Sequence, residues 1–205
     1  MVGTSLRCAG LVLCGGRSER MGSAKAWLPF GPELLLQRVV CILGEVVSPV
    51  VAVAAPGQRL PPLPAGVLIV RDAQEGRGPL EGMLAGVKAL DGRADAVFVA
   101  SCDAPLLSSA FVRRVLKSLG DQEIAAPVVD GFAHPLAAVY RLSLQGAIES
   151  MLAADQRRPT DLLRERNTRE LTTADFADID PEMRSLRGCN TPEEYQTLLR
   201  EAGFA

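Results

Sequence analysis

The chain has 205 residues, 48% hydrophobic and 22% charged, with a formal net charge of −2; this suits one domain, residues 1–205, and gives no broad electrostatic reason to bind nucleic acid. No apolar run is long enough to span a bilayer and residues 1–7 precede no signal-like stretch, so a cytoplasmic protein without a membrane partner is expected. Cys8, Cys14, Cys41, Cys102 and Cys189 are odd in number and widely spaced, which suggests reduced thiols and shows no zinc pattern.

In chain order, residues 9–13 read as a buried parallel strand. It is followed by Leu13-Cys14-Gly15-Gly16-Arg17-Ser18-Glu19-Arg20-Met21-Gly22-Ser23-Ala24-Lys25, and then by apolar residues at helical spacing over 34–47. A loop joining the carboxyl end of a strand to a helix is where open α/β sheets bind ligands. Gly15, Gly16 and Gly22 let backbone N–H groups approach phosphate oxygens. Arg20 offers a fork of donors, and Lys25 a point charge that can move with a leaving group. The spacing is not that of a P-loop, because Ser23 and Ala24 separate Gly22 from Lys25. It is not a dinucleotide fingerprint either, because Gly15 and Gly16 are adjacent, which argues against a flavin or NAD domain.

Strand-like runs recur at 49–53, 67–70 and 96–100, with a helical pattern at 80–90. The alternation predicts an α/β fold with a doubly wound, mostly parallel sheet of Rossmann-like type. Prolines at 56, 61, 62 and 64 make 56–64 a surface spacer. Beyond residue 100 the pattern predicts a helix over 111–119, strands over 124–129 and 134–140, and a helix over 144–153. A terminal helix over 191–202 starts with Thr191 as cap and Pro192 in its first turn.

The strand at 96–100 runs into Cys102-Asp103-Ala104-Pro105, which places a carboxylate on the same sheet rim as the glycine loop. One aspartate suffices for Mg²⁺, which completes its shell with water and substrate phosphate oxygens; the alternative role is a cap for the following helix. Asp72 also follows a strand and precedes Gly76-Arg77-Gly78-Pro79-Leu80-Glu81-Gly82, which either closes over a nucleotide or only shapes a helix start. His134, the single histidine, lies in no nucleophile motif. A phosphate monoester with a second pKa of about 6 needs no protein base to attack phosphorus. The adjacent Arg157 and Arg158 are either solvated or aimed at an anionic acceptor.

On these motifs the chain resembles the MobA-like molybdenum cofactor guanylyltransferases, over nearly its whole length. The family's glycine-loop signature is met by Leu13, Gly15, Gly16, Ser18, Arg20, Met21, Gly22 and Lys25, and its Asp-x-Pro segment by Asp103 to Pro105. Gly78-Pro79-Leu80-Glu81-Gly82 resembles the guanylyl version of the next segment, and Asp72 falls where the family places a GTP-binding aspartate. His134-Pro135 and Asn190-Thr191-Pro192-Glu193 resemble segments on the acceptor side. Two departures bear on substrate identity. Val53, Ala54 and Ala55 stand where the family often has Asn, and Gly188 replaces the first residue of its usual Asn-x-Asn.

The resemblance implies transfer of GMP from GTP to the terminal phosphate of the molybdopterin cofactor, with release of pyrophosphate. Arg20, Lys25 and Asp103 would be catalytic, with Asp103 the Mg²⁺ ligand. Leu13, Cys14, Gly15, Gly16, Gly22, Lys25, Asp72, Pro79, Leu80, Gly82 and Asp103 would bind nucleotide, and His134 and Asn190 the acceptor. Molybdoenzymes or other cofactor-biosynthesis proteins would be its protein partners. Two alternatives stand beside it: a nucleotidyltransferase using CTP with the same cofactor or an NTP with a sugar phosphate, and a nucleotide-binding partner protein without turnover.

Overall fold

The computed structural model describes residues 6–14, 24–72 and 78–204. Gly15, Gly16, Arg20 and Gly22 of the glycine loop, and Gly76 and Arg77, lie outside the described residues. The elements are β1 (Cys8–Leu13), β2 (Pro29–Phe30), β3 (Glu33–Leu34), α1 (Leu35–Gly44), β4 (Val50–Ala54), β5 (Leu68–Arg71), α2 (Pro79–Ala89), β6 (Ala96–Ser101), α3 (Ser109–Lys117), β7 (Ile124–Val129), β8 (Phe132–Ala133), β9 (Ala137–Arg141), α4 (Gln145–Ala153), α5 (Pro159–Glu165), β10 (Thr168–Leu171) and α6 (Pro192–Glu201).

The main sheet runs β10-β7-β9-β6-β1-β4-β5, with β8 paired to β7. β1 lies parallel to both β4 and β6, β4 parallel to β5, and β10 parallel to β7; β9 enters antiparallel between β6 and β7, and the short β8 is antiparallel to β7. β7 therefore runs in the same direction as β6, and the carboxyl ends of β1, β4, β6 and β7 share one rim. The fold is the expected α/β, mostly parallel sheet.

The pleat sorts side chains onto two cores. On β1, Val12 and Cys14 face α1 and α3, whose Leu36, Val39, Leu43, Phe111 and Val115 complete one layer. Ala9, Leu11 and Leu13 face α2, α4 and α5, where Leu80, Met83, Ile148 and Leu162 form the other. Burial on both faces explains why the central strands read as continuous apolar runs, not as alternating ones. Helix α2 approaches the sheet closely because it carries small residues on that face: a Cβ on Gly86 would stand 2.2 Å from Leu11 Cδ1. A third, smaller core of Phe30, Leu35, Cys189 and Leu198 docks α6 onto the segment that follows the glycine loop. The Tyr195 hydroxyl, donating to the Pro29 carbonyl, closes that contact. No helix among the described residues is long and apolar enough to cross a membrane.

Two sequence expectations need correction. The strand expected over 134–140 begins only at Ala137, because His134 to Leu136 turn back and the Ala137 N–H bonds to the His134 carbonyl at 3.1 Å. The proline-rich 56–64 stretch is not a bare spacer. Gln58 donates through Nε2 to the Cys14 carbonyl (3.0 Å) and accepts from the Ala55 N–H (2.9 Å). The Trp27 indole N–H bonds to the Arg59 carbonyl at 2.9 Å. The stretch is wired to the end of β1 and to the turn that carries Lys25.

Candidate active site

The β1–β6 register pairs Leu13 with Ser101, so the chain leaves both strands at the same level and presents Cys14 beside Cys102 and Asp103. The Cys102 N–H bonds to the Leu13 carbonyl (3.1 Å) and the Cys14 N–H to the Val53 carbonyl (2.8 Å), extending the ladder one residue beyond the strands. Asp103 is thus delivered to the rim by β6, a strand buried along nearly its whole length and paired with the equally buried β1. It caps no helix: Ser108 is the N-cap of α3, accepting from the Phe111 N–H. From α1, Arg38 donates to the Pro105 carbonyl at 2.6 Å and pins the turn after Asp103.

Lys25 lies in a short 3-10 turn, Lys25–Trp27. Its Nζ donates to Asp103 Oδ2 at 2.5 Å and to Asn190 Oδ1 at 2.8 Å. Residues far apart in sequence are thereby brought to one point, and the pair is largely shielded from water, with side-chain exposures of 19% and 17%. The segment before α6 is fixed to the same place. The Cys189 N–H bonds to the Asp103 carbonyl at 3.0 Å, and a Cβ on Gly188 would stand 3.5 Å from Asp103 Oδ1. With glycine there, that oxygen faces a bare Cα.

Asp72, at the end of β5, forms the second polar feature of the rim. Its Oδ1 is buried and has no hydrogen-bond partner among the described residues. A Cβ on Gly82 would sit 3.2 Å from that oxygen and 3.1 Å from Leu13 Cδ2, so the glycine of α2 makes the space in which the carboxylate lies. Burial, then the nearby Glu81, push its pKa up to about 6. Pro79 starts α2 after Gly78, whose φ of 86° is open to glycine. Leu80 is fully buried in the core and supports this corner from beneath. The Arg157 carbonyl would lie 3.3 Å from a Cβ on Gly78, which places the 155–159 turn beside the start of α2, and Arg157 itself pairs with Asp155.

His134 follows β8 on the β7 side of the rim. Burial alone lowers its pKa, which favours the neutral imidazole, and among the described residues no hydrogen bond or ion pair links it to Lys25, Asp103 or Asn190. Burial also raises the neighbouring thiols, Cys14 to about 12 and Cys189 to about 11, with Cys102 well above its ordinary value. In this environment all three favour the protonated thiol over the thiolate.

These donors fit a hard divalent ion. The rim offers a carboxylate oxygen beside a bare glycine Cα and no thiolate. No group of three or more His, Cys, Asp or Glu able to hold a metal exists among the described residues. An ion held by one carboxylate and completed by substrate oxygens matches that set; a closed structural zinc site does not.

Residues 10–170 match the family described as MobA-like NTP transferase domain. A "Probable molybdenum cofactor guanylyltransferase" of Mycobacterium ulcerans is 36% identical over 176 residues, covering 83% of this chain and 86% of its own length. Among solved structures, molybdopterin-guanine dinucleotide biosynthesis protein A from Archaeoglobus fulgidus superposes with a TM-score of 0.77 at 19% identity, over 96% of this chain and 100% of that one. A Mycobacterium tuberculosis protein solved as a complex with manganese superposes with a TM-score of 0.65 at 17% identity, over 95% and 98% of the two chains. The chain belongs to the MobA-like NTP transferase family, and is a nucleotidyltransferase.

Proposed function

We propose that this nucleotidyltransferase moves GMP from GTP to the terminal phosphate of the molybdopterin cofactor, forming the guanine dinucleotide cofactor and pyrophosphate. The observation that carries the reading is the meeting of Lys25 and Asp103 on the rim where the glycine loop leaves β1. The name of the Mycobacterium ulcerans relative supports the choice of nucleotide and acceptor.

The manganese complex of the fold neighbour supports a divalent ion, and Asp103 would hold it; bound there, the ion would supply neutralisation of charge on the phosphate oxygens. Mg²⁺ is the ion proposed. Lys25 is within reach of the same carboxylate, so its ammonium can pass from Asp103 to the β and γ phosphates as the triphosphate enters, and it stabilises the departing pyrophosphate. Arg20 and the N–H groups of Gly15, Gly16 and Gly22 join it on the strength of the sequence. In the reaction an oxygen of the acceptor phosphate forms a bond to the α-phosphorus of GTP. The bond from that phosphorus to the bridging oxygen breaks, and its electron pair leaves with pyrophosphate. The acceptor phosphate is close to doubly ionised at neutral pH, so neutral, half-buried His134 is not required as a base.

Base selection falls to Asp72. A buried carboxylate oxygen without a donor among the described residues favours a ligand that brings donors to it. The guanine edge presents N1–H and the N2 amino group side by side, which two carboxylate oxygens accept together. Cytosine presents one amino group there, so the CTP alternative leaves one acceptor unmatched. Leu13 and Cys14 would bound the base pocket beside Asp72, with Pro79 and Gly82 framing it.

Incubation with GTP, CTP, ATP or UTP, with and without molybdopterin cofactor and Mg²⁺, tests the reading by pyrophosphate formation. Rapid release only with GTP and cofactor together is expected. Preference for CTP, or turnover with a sugar phosphate in place of the cofactor, would overturn it, and no release with any pair would favour a binding protein.

A further inference from the structure

Asn190 is expected from the sequence on the acceptor side, yet the polar contact its side chain makes among the described residues is with Lys25, at 2.8 Å. It is also unusually well held. The Asn190 and Thr191 N–H groups both donate to Glu194 Oε2, at 2.6 and 3.1 Å, and the Glu194 N–H returns a bond to Thr191 Oγ1 at 3.2 Å. This reciprocal capping box fixes the first turn of α6. One residue earlier, Cys189 is fully buried and its N–H is bonded to the Asp103 carbonyl. Asn190 Oδ1 is therefore placed from both sides relative to Asp103.

We propose that Asn190 is a positioning residue for the nucleotide: held by the capping box of α6, its amide oxygen sets the Lys25 ammonium between Asp103 and the incoming triphosphate. The inference rests on the reading of Lys25 as a phosphate-binding residue and assigns Asn190 to the GTP half of the reaction. The chemistry of the side chain suits this role. A neutral oxygen directs the ammonium without adding charge. A second carboxylate at this position would hold Lys25 more tightly and repel the triphosphate, opposing its transfer from Asp103. The arrangement gives the terminal helix a function beyond packing, since it carries the atom that aims Lys25.

The test is a double-mutant cycle on Asn190→Ala and Lys25→Ala, read both by GTP binding with Mn²⁺ in the absence of acceptor and by steady-state turnover with the cofactor. Asn190→Ala is expected to weaken GTP binding and lower kcat/KM for GTP by about tenfold, and to leave KM for the cofactor within about twofold. In the Lys25→Ala background the same substitution should cost less than about twofold, because the group it acts through is gone. A thermal melt of each variant verifies folding. A full tenfold loss in the Lys25→Ala background would overturn the inference, as would a raised KM for the cofactor with GTP binding unchanged. Because GTP binding is measured without acceptor, failure of the cofactor to support turnover would strike the proposed reaction and leave this inference standing or falling on the binding cycle.

Discussion

Asp72 keeps one carboxylate oxygen buried against Gly82 without a donor among the described residues, an arrangement that costs the free protein stability and is relieved when a ligand supplies N–H groups. Because burial raises its pKa to about 6, its protonated form is favoured in the folded state. The stability it contributes is complete below its ordinary 3.8 and is lost as pH rises through about 6. Asp72→Asn, neutral at every pH, should therefore exceed the unsubstituted protein in stability at pH 7.5 by about 1 kcal/mol, a low figure because the group is half exposed and screened. The advantage should fade by pH 4 in urea unfolding. In kinetics the sign reverses. KM for GTP should rise as pH falls below about 6 in the unsubstituted protein, as the second acceptor oxygen becomes protonated. In the variant KM should already be high, with that part of the pH dependence gone. The sequence placed Asp72 and Asp103 at strand ends, which is where periodicity is most readable. It gave no sign of Gln58, a lone glutamine in a proline-rich stretch, since its bond to the Cys14 carbonyl depends on how β4 and its exit loop fold back.

Among the elements, α2 is the one whose fit to the sheet is most demanding. A Cβ at Gly86 would come within 2.2 Å of Leu11 Cδ1, with Cδ2 and Cγ at 2.9 and 3.1 Å. The intrinsic preference of a helix for Ala over Gly is worth about 1 kcal/mol, but overpacking commonly costs about 1–3 kcal/mol. Gly86→Ala should thus destabilise by about 1–2 kcal/mol in denaturant titration, and a gain in stability would show that α2 moves away freely. The long, strongly patterned elements were legible because their residues are buried on fixed faces: β1, β4 and β6, and α1 to α4, lie within a few residues of the expected spans. Two later elements were not. β10 has the sequence Thr-Arg-Glu-Leu with only Leu171 buried, and is a strand because β7 accepts it at the sheet edge. α5 is seven residues long, too short for helical spacing to separate it from a turn. The tiny β2 and β3 and the hairpin strand β8 are likewise products of tertiary pairing.

For the molecule as a whole, the crossover order brings the ends of β1 and β6 side by side and the antiparallel β9 restores β7 to the same direction, so Cys14, Asp103 and the carboxyl end of β7 share one rim, with His134 following β8 beside it. The small core of Phe30, Leu35, Cys189 and Leu198 then locks the terminal helix against the first crossover, and Asn190 reaches Lys25 as a result. That closure was invisible in the sequence beyond the Thr191 and Pro192 start signal, because it depends on a contact between the two ends of the domain. On the proposed function, this rim grips a triphosphate and a divalent ion, with Asp103 and Lys25 exchanging partners as the triphosphate enters. The decisive measurement is a crystal structure with GTP and Mn²⁺, the ion located by its anomalous signal. A manganese peak on Asp103, with the triphosphate beside it and Lys25 Nζ moved onto the β or γ phosphate, is the expected result. Manganese bound away from Asp103, or Lys25 still paired with Asp103 beside a bound triphosphate, would contradict it.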